Sequence, residues 1–176
     1  MAVVDQTPAS LVPLTTARLR LRALTADDVD AVFAILGDEQ TTARVSWRQP
    51  SRTAAQGWLA RRMAQEVRHG LSMWAVDLLD GGGTVGLCGF LPAADDPGTG
   101  EIELGYVVKA TVWGRGYATE AATAAVGAAH RAGRTVYATI RPWNAGSVRV
   151  AERAGLHADG SVDDERGPLL VYRSRR

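Results

Sequence analysis

Leu104 to Thr123 reads LGYVVKATVWGRGYATEAAT, and this stretch decides how the chain is built. A short apolar run, Leu104 to Val108, leads through the turn Trp113-Gly114-Arg115-Gly116-Tyr117-Ala118 into an alanine-rich helix expected from about Ala118 to Arg131. Strand, tight turn and helix N-terminus in that order make an anion site. The first-turn N–H groups have no intrahelical partner and the macrodipole leaves partial positive charge there, so a phosphate is bound by backbone. Gly114 and Gly116 let the main chain come close to such a ligand and adopt conformations that a side chain forbids.

The spacing argues against two familiar phosphate loops. A Walker loop needs Gly-Lys-Ser/Thr closing a longer glycine frame, and a Rossmann fingerprint needs Gly or Ala where Thr119 stands. The turn fits Q/R-x-x-G-x-G/A instead, with Trp113 first, Gly116 fourth and Ala118 sixth; only the first position departs from that consensus. Extended to W-G-x-G-Y-A-T-E, it resembles the pyrophosphate loop of the GNAT acetyltransferase superfamily, in the form seen in the RimJ and RimL ribosomal-protein N-acetyltransferase branch. A second stretch, Asn144 to Leu156, reads NAGSVRVAERAGL and resembles the superfamily's N-x-x-S-x-x-x-x-x-x-x-G-[FL] signature. Leu19 to Leu36, LRLRALTADDVDAVFAIL, resembles the opening of the same branch, so the resemblance covers nearly everything after residue 15.

Length and composition agree with a single enzyme-sized domain. The chain has 176 residues, enough for one ordinary core and short of what two domains usually need. We expect an N-terminal arm over 1–14 and one domain over 15–176. A net charge of +1 and the absence of a like-charge block suggest neither nucleic acid nor an anionic membrane as partner. Cys88 is the only cysteine and sits in an apolar run, which predicts a buried thiol rather than a disulfide or a nucleophile. The N-terminal residues lack a basic n-region with an apolar h-region, and no stretch has the length of a membrane span, so a soluble cytoplasmic protein is expected. His69, His130 and His157 have no metal-ligand spacing, and no metal is expected.

Taken in order, residues 17–22 alternate apolar with basic and predict a strand, and Thr25 with Asp27 and Asp28 signals a helix start up to Gly37. Asp38 to Pro50 shows no period; its Trp47 reads either as a recognition surface or as an aromatic folded back on the core. Ser51 caps a predicted helix to about His69, with Trp58, Leu59, Met63 and Val67 as its apolar stripe. Strands over 71–79 and 84–91 flank a reversal at Gly81-Gly82-Gly83, and a polar loop over 92–100 leads to a strand over 101–109. After the alanine-rich helix come a strand over 135–140, a helix capped at Asn144 and closed by Gly155, and two closing strands over 156–162 and 168–173.

The resemblance implies an α/β (α+β) GNAT fold, a mixed sheet of about six or seven strands with helices on both faces, opened between the parallel strands 101–109 and 135–141. Acetyl-CoA as co-substrate would enter that gap. Backbone groups of Val107 and Val108 would pair with its pantetheine arm, and Gly114, Arg115, Gly116, Tyr117, Ala118 and Thr119 would hold the pyrophosphate. Asn144 matches a position that contacts the cofactor near the thioester, and also reads as an N-cap. The Val108 N–H would hold the oxyanion; many relatives carry a tyrosine acid at the position of Ala151, which leaves Ser147 as the candidate here. Glu101 and Glu103 share one strand face by period two, and Glu103, nearer the reaction centre, is the candidate base, directly or through water.

The implied activity is transfer of an acetyl group to a primary amine, a protein N-terminus or a small molecule, with a homodimer allowed. The acceptor site is expected from Asp38 to Pro50 and from the segment around Asp163 to Pro168, whose acidic run reads as a lure for cations or as a solvated turn. Two other classes compete. A non-catalytic acyl-CoA-binding module would explain Ala151, and a nucleotide-binding oxidoreductase would put its glycine turn after the first strand rather than mid-chain.

Overall fold

The computed structural model describes residues 9–91 and 100–175. Residues 1–8 of the expected arm and 92–99 of the expected polar loop lie outside them. Among the described residues eight strands form one sheet: β1 (Leu14–Thr15), β2 (Leu19–Arg22), β3 (Met73–Leu78), β4 (Thr84–Leu91), β5 (Glu101–Val108), β6 (Thr135–Ile140), β7 (Leu156–Asp164) and β8 (Gly167–Ser174). Their order is β1-β2-β3-β4-β5-β6-β8-β7, and only β5 and β6 run parallel. The strand beyond the expected seven is β1, a two-residue edge too short to leave a period. A Rossmann sheet is mostly parallel, so the oxidoreductase reading falls.

The helices are α1 (Val29–Leu36), α2 (Glu39–Thr42), α3 (Arg52–His69), α4 (Tyr117–Arg131) and α5 (Ala145–Arg153). Strand alternation sends two sets of side chains to opposite faces. Met73, Ala75, Leu87 and Val107 pack with Val32, Ile35 and Leu36 of α1 and Trp58 and Leu59 of α3. Trp74, Val76, Phe90, Ile102 and Leu104 pack with the alanines of α4 and with Ala151 of α5. Leu11, Val12 and Leu14 are partly buried against this second set. Ala121, Ala122, Ala125 and Ala129 are wholly buried, and their short side chains let α4 lie close on the sheet.

Local signals in the sequence account for most boundaries. The Ser51 hydroxyl accepts the Ala54 N–H at 3.1 Å to start α3, and Gly70 at φ +64° ends it. Val67 does not join the α3 stripe; it is 72% exposed. The inward place in that turn goes to Glu66, whose carboxylate accepts the buried Trp74 indole N–H at 2.9 Å. The short helix α2 went unpredicted because one turn has no period, although Asp38 caps it by accepting the Thr41 N–H at 2.7 Å.

What positions the site is the way β5 leaves β6. Pairing in register is confined to Glu101–Thr135, Ile102–Val136 and Glu103–Tyr137, while β5 stays paired with β4 from Glu103 to Val108. The Lys109 N–H donates to Val85 O at 2.8 Å, and alternation along an antiparallel pair therefore turns the main-chain groups of Gly105 and Val107 toward β4. Those of Leu104, Tyr106 and Val108 point away from β4: the Leu104 N–H still meets β6 in the Glu103–Tyr137 pairing, and the groups of Tyr106 and Val108 face the opening.

Away from the opening, Arg22 clamps the outer strands to the start of α1. Its guanidinium donates to both Asp28 oxygens at 2.7 and 2.8 Å and to Asp77 at 2.6 Å. Burial pushes the Asp28 carboxyl up, but the Arg22 and Thr25 bonds outweigh it and hold the group below the usual carboxylate range. A depressed carboxyl adds stability above its unfolded value of about 3.9 and loses it as pH falls through the folded value. Asp28→Asn is expected to cost about 1.5–3 kcal/mol at neutral pH, the worth of hydrogen bonds to a charged group. Denaturant titrations should show that penalty shrinking below about pH 4; a penalty that persists unchanged at pH 2 would mean that the side chain acts by shape rather than by charge.

Candidate functional site: two clefts at the parting strands

After β5 a short 3-10 turn over Ala110–Val112 carries the chain to Trp113. Gly114 and Gly116 then take φ of +78° and +81°, a region that disfavours any side chain, and α4 begins at Tyr117. The Glu120 N–H donates to Gly116 O at 3.0 Å, so the N–H groups of Tyr117, Ala118 and Thr119 precede the helix's own bonding. The Trp113 indole N–H donates to Val108 O at 2.9 Å, which gives the residue that departs from the loop consensus a structural task.

Glu120 locks the turn to the far edge of the sheet. Its carboxylate accepts from the Thr16 hydroxyl at 2.6 Å, the Arg18 N–H at 2.9 Å and Arg18 Nε at 2.7 Å. Arg18 Nη1 in turn donates to Arg115 O at 2.9 Å, and its guanidinium lies over the Tyr117 ring at 4.7 Å. Burial raises the Glu120 carboxyl, yet the Thr16 and Arg18 bonds bring it below the ordinary range.

Two clefts flank the opening. One, about 370 Å³, is lined by Val107, Val108, Trp113, Gly114, Gly116, Tyr117, Ala118 and Thr119, and by Arg44, Arg149 and Arg153, with no carboxylate. Arg115 lines neither cleft; its carbonyl, bound by Arg18, belongs to the lock. Val107 borders the first cleft but spends its main-chain groups on β4. Of the expected pair of strand partners, Val108 alone turns backbone to the opening, and Tyr106 joins it.

The second cleft, about 410 Å³, is walled by Ala43 to Trp47 on one side and by Thr139, Arg141, Trp143, Asp164 and Arg166 on the other. The two expected acceptor segments thus face each other across it. The 41–47 segment is held in place: the Thr41 hydroxyl accepts the Ala110 N–H at 2.9 Å, and the Trp47 ring lies where a Cβ on Gly105 would come within 2.6 Å. Trp47 therefore both packs on the core and lines the cleft. In the acidic run, Asp164 accepts both Arg141 Nη2 contacts at 2.6 and 2.7 Å and the Arg166 N–H at 2.8 Å. That carboxylate is already neutralised. Trp143 is 62% exposed beside it.

The clefts meet at Arg44, Val45, Tyr106, Asn144 and Ser147. Asn144 is buried and its Oδ1 accepts the Ser147 N–H at 3.2 Å, so it caps α5 while bordering both clefts. The Tyr106 hydroxyl donates to Ser147 O at 2.8 Å, and burial pushes its pKa upward, so the phenol keeps its proton. Ala151 is wholly buried and lines neither cleft. Glu103 lines the second cleft, its Oε1 accepting from the Thr139 hydroxyl at 2.5 Å. Glu101, on the same strand face, lines neither cleft and is paired with Arg173. Burial pushes the Cys88 thiol up to about 12, which makes it inert.

Three residues at or beside the junction escaped the sequence reading. Tyr106 sits in an apolar run where its hydroxyl was the only signal. Arg44 reaches the turn from 69 positions earlier in chain order, its guanidinium 5.8 Å from the Trp113 ring, and nothing local announces that. Gly105 was readable as a glycine inside a strand, a mark of close approach.

The fold agrees with what comparison finds. Residues 18–157 match the family described as the acetyltransferase (GNAT) domain, and the chain belongs to that family of acyl-CoA-dependent acetyltransferases. It is 30% identical over 161 residues to YkkB of Bacillus subtilis (strain 168), covering 90% of this chain and 93% of that protein. An acetyltransferase from Agrobacterium tumefaciens str. C58 is 28% identical with a TM-score of 0.78, over 98% of this chain and 99% of the other. RimL, a ribosomal L7/L12 α-N-protein acetyltransferase solved in complex with coenzyme A, shares the fold at 18% identity and a TM-score of 0.81, over 92% of this chain and 96% of RimL.

Two substitutions probe this geometry. Glu120→Gln should weaken coenzyme A binding about tenfold, the worth of one charged hydrogen bond, because the turn loses its anchor; calorimetry giving an unaltered Kd would make the lock irrelevant to the ligand. Gly105→Ala should displace the Trp47 ring, seen as a changed tryptophan emission spectrum, while coenzyme A affinity stays within about twofold (under half a kcal/mol).

Proposed function

We propose that the chain moves the acetyl group of acetyl-CoA onto a primary amine, a protein N-terminus or a small-molecule amine, by direct attack in a ternary complex. The observation that carries this reading is the meeting of the two clefts. A carboxylate-free cleft with a backbone anion turn suits a polyanionic donor, and the acceptor cleft touches it only at Arg44, Val45, Tyr106, Asn144 and Ser147. Nothing more is needed for direct transfer than two ligands whose reacting ends share that junction. The buried, reduced Cys88 supports the accompanying expectation of a cytoplasmic enzyme.

The roles follow from position. Glu103, in the acceptor cleft, takes a proton from the incoming ammonium directly or through water, and Thr139 holds its carboxylate in place. The Val108 N–H, turned to the opening, is the donor for the acyl oxygen as negative charge develops there. Tyr106 and Ser147 supply hydroxyls beside the departing thiolate. The raised pKa of Tyr106 suits it to donate a proton and not to accept one. These hydroxyls answer the absence of a tyrosine at Ala151, the one feature that spoke for a non-catalytic module.

Acetyl-CoA should stabilise the protein by RT ln(1 + [L]/Kd), about 2.7 kcal/mol at a hundredfold excess over Kd. A melting curve that does not move at millimolar acetyl-CoA would sink the reading. Within it, Glu103→Gln should lower kcat by about 100-fold with acetyl-CoA affinity nearly intact, since general-base help is worth at least that much. Glu101→Gln should leave kcat close to normal. Equal kcat for the Glu103 variant and the parent from pH 6 to 9 would assign the carboxylate to structure.

A further inference from the structure

We propose that the second cleft selects primary amines that also carry a carboxylate, with the Arg166 guanidinium receiving that carboxylate at the outer rim. This rests on the acetyl-transfer reading above and adds to it the chemical class of the acceptor.

The charges that line the cleft decide what can enter it. Glu103 and Asp164 are its carboxylates, and Arg44, Arg141 and Arg166 are its guanidinium groups. Asp164 is spent, because Arg141 Nη2 reaches both of its oxygens and the Arg166 N–H donates to it at 2.8 Å. Glu103 is bound by the Thr139 hydroxyl and by no cation among the described residues. One carboxylate therefore remains for one ammonium. A second ammonium on the same molecule would meet guanidinium groups, and like charges placed this way reject a ligand.

The three guanidinium groups are unequally used. Arg141 is committed to the β7–β8 hairpin, donating also to the Gly167 and Pro168 carbonyls at 2.8 and 3.2 Å. Arg44 lines the first cleft as well and lies 5.8 Å from the Trp113 ring. Asp164 pairs with Gly167 across the hairpin, which puts Arg166 in the turn between them, on a backbone that Arg141 pins. The Arg166 side chain is 64% exposed, and its one ion-pair contact among the described residues is 3.9 Å from an Asp164 oxygen that Arg141 already holds. That distance is beyond a hydrogen bond, so its donors stay available to a ligand.

Spacing along β6 sets the size of the acceptor. Thr139, which holds Glu103, and Arg141, which holds the hairpin turn, are two residues apart, about 7 Å along an extended chain. Two residues of an extended peptide span about the same distance from N-terminus to carboxylate. Trp47 and the exposed Trp143 line opposite walls of the cleft and offer indole faces to a side chain between those ends.

Steady-state acetylation by the full chain, followed by release of the coenzyme A thiol, tests this with matched acceptors. Glycyl-phenylalanine against its amide reads a terminal carboxylate, and glycyl-glutamyl amide against glycyl-glutaminyl amide reads one on a side chain. The acidic member of at least one pair should have the higher kcat/KM, by about fivefold, the upper worth of a solvent-exposed ion pair, with the gap closing as salt rises. The gain should lie in KM, because Arg166 stands away from the reacting atoms. R166E, with a melting temperature like the parent's, should invert the preference, and R166K should keep part of it. Equal kcat/KM within both pairs overturns the proposal, as does a preference that survives R166E, or kanamycin as a better acceptor than either acidic peptide. A parent that acetylates nothing in the panel while acetyl-CoA still raises its melting temperature overturns the proposal alone; the lack of any melting shift overturns the acetyl-transfer reading with it.

Discussion

Main-chain polar groups must be paired, and in this sheet one strand is denied its partner halfway along. Past Leu104, β5 keeps β4 on one side and has no strand on the other, leaving the groups of Tyr106 and Val108 without a ladder. A splayed edge of that kind is costly when dry and is an invitation to an extended ligand that can complete it. The protein fills only part of it, with the Trp113 indole on Val108 O. Both clefts, the glycine turn and the N-terminal end of α5 are grouped around what stays open.

The open edge is useful only if its surroundings hold still, and the restraints come from distant parts of the chain. Glu120 ties the first turn of α4 to Thr16 and Arg18 beside β2, and Arg18 ties back to the Arg115 carbonyl. Thr41 ties the acceptor-side segment to the start of the 3-10 turn. Arg44 lies across the turn's Trp113 from that same segment. The two clefts therefore share a wall at Arg44 and Val45.

Periodic elements were legible in the sequence because period survives without tertiary context. The hairpin at Gly81 to Gly83, the Ser51 cap and the strand–turn–helix around Gly116 stand within a residue or two of where the residues predict them. The glycine turn and the parallel pair beside it were readable for the same reason. What escaped was set by contacts between distant segments. Arg44 and Tyr106 meet at the junction only because the sheet brings 41–47, β5 and α5 together, and no local pattern encodes that meeting. Val107 was expected as a ligand partner from the resemblance, which carries over a position in the chain, whereas the direction of its main-chain groups depends on the register with β4.

Strand alternation also separates the two proton-handling groups of the proposed reaction. Glu103 and Tyr106 are three apart on β5, so they project from opposite faces, Glu103 with the α1 and α3 side and Tyr106 toward α4 and α5. In an intact sheet such groups could never serve one site. Here the strand beyond Leu104 is an edge, and an edge is reached from both faces, so both residues border the second cleft. In the proposed reaction the carboxylate would meet the amine from one side while the phenol, kept protonated by burial, would stand with Ser147 beside the thiolate on the other. The strand between them prevents the acid from neutralising the base, and the proton leaves the amine and returns to sulfur by different groups. Closing β5 against β6 would destroy this division as surely as it would exclude the donor.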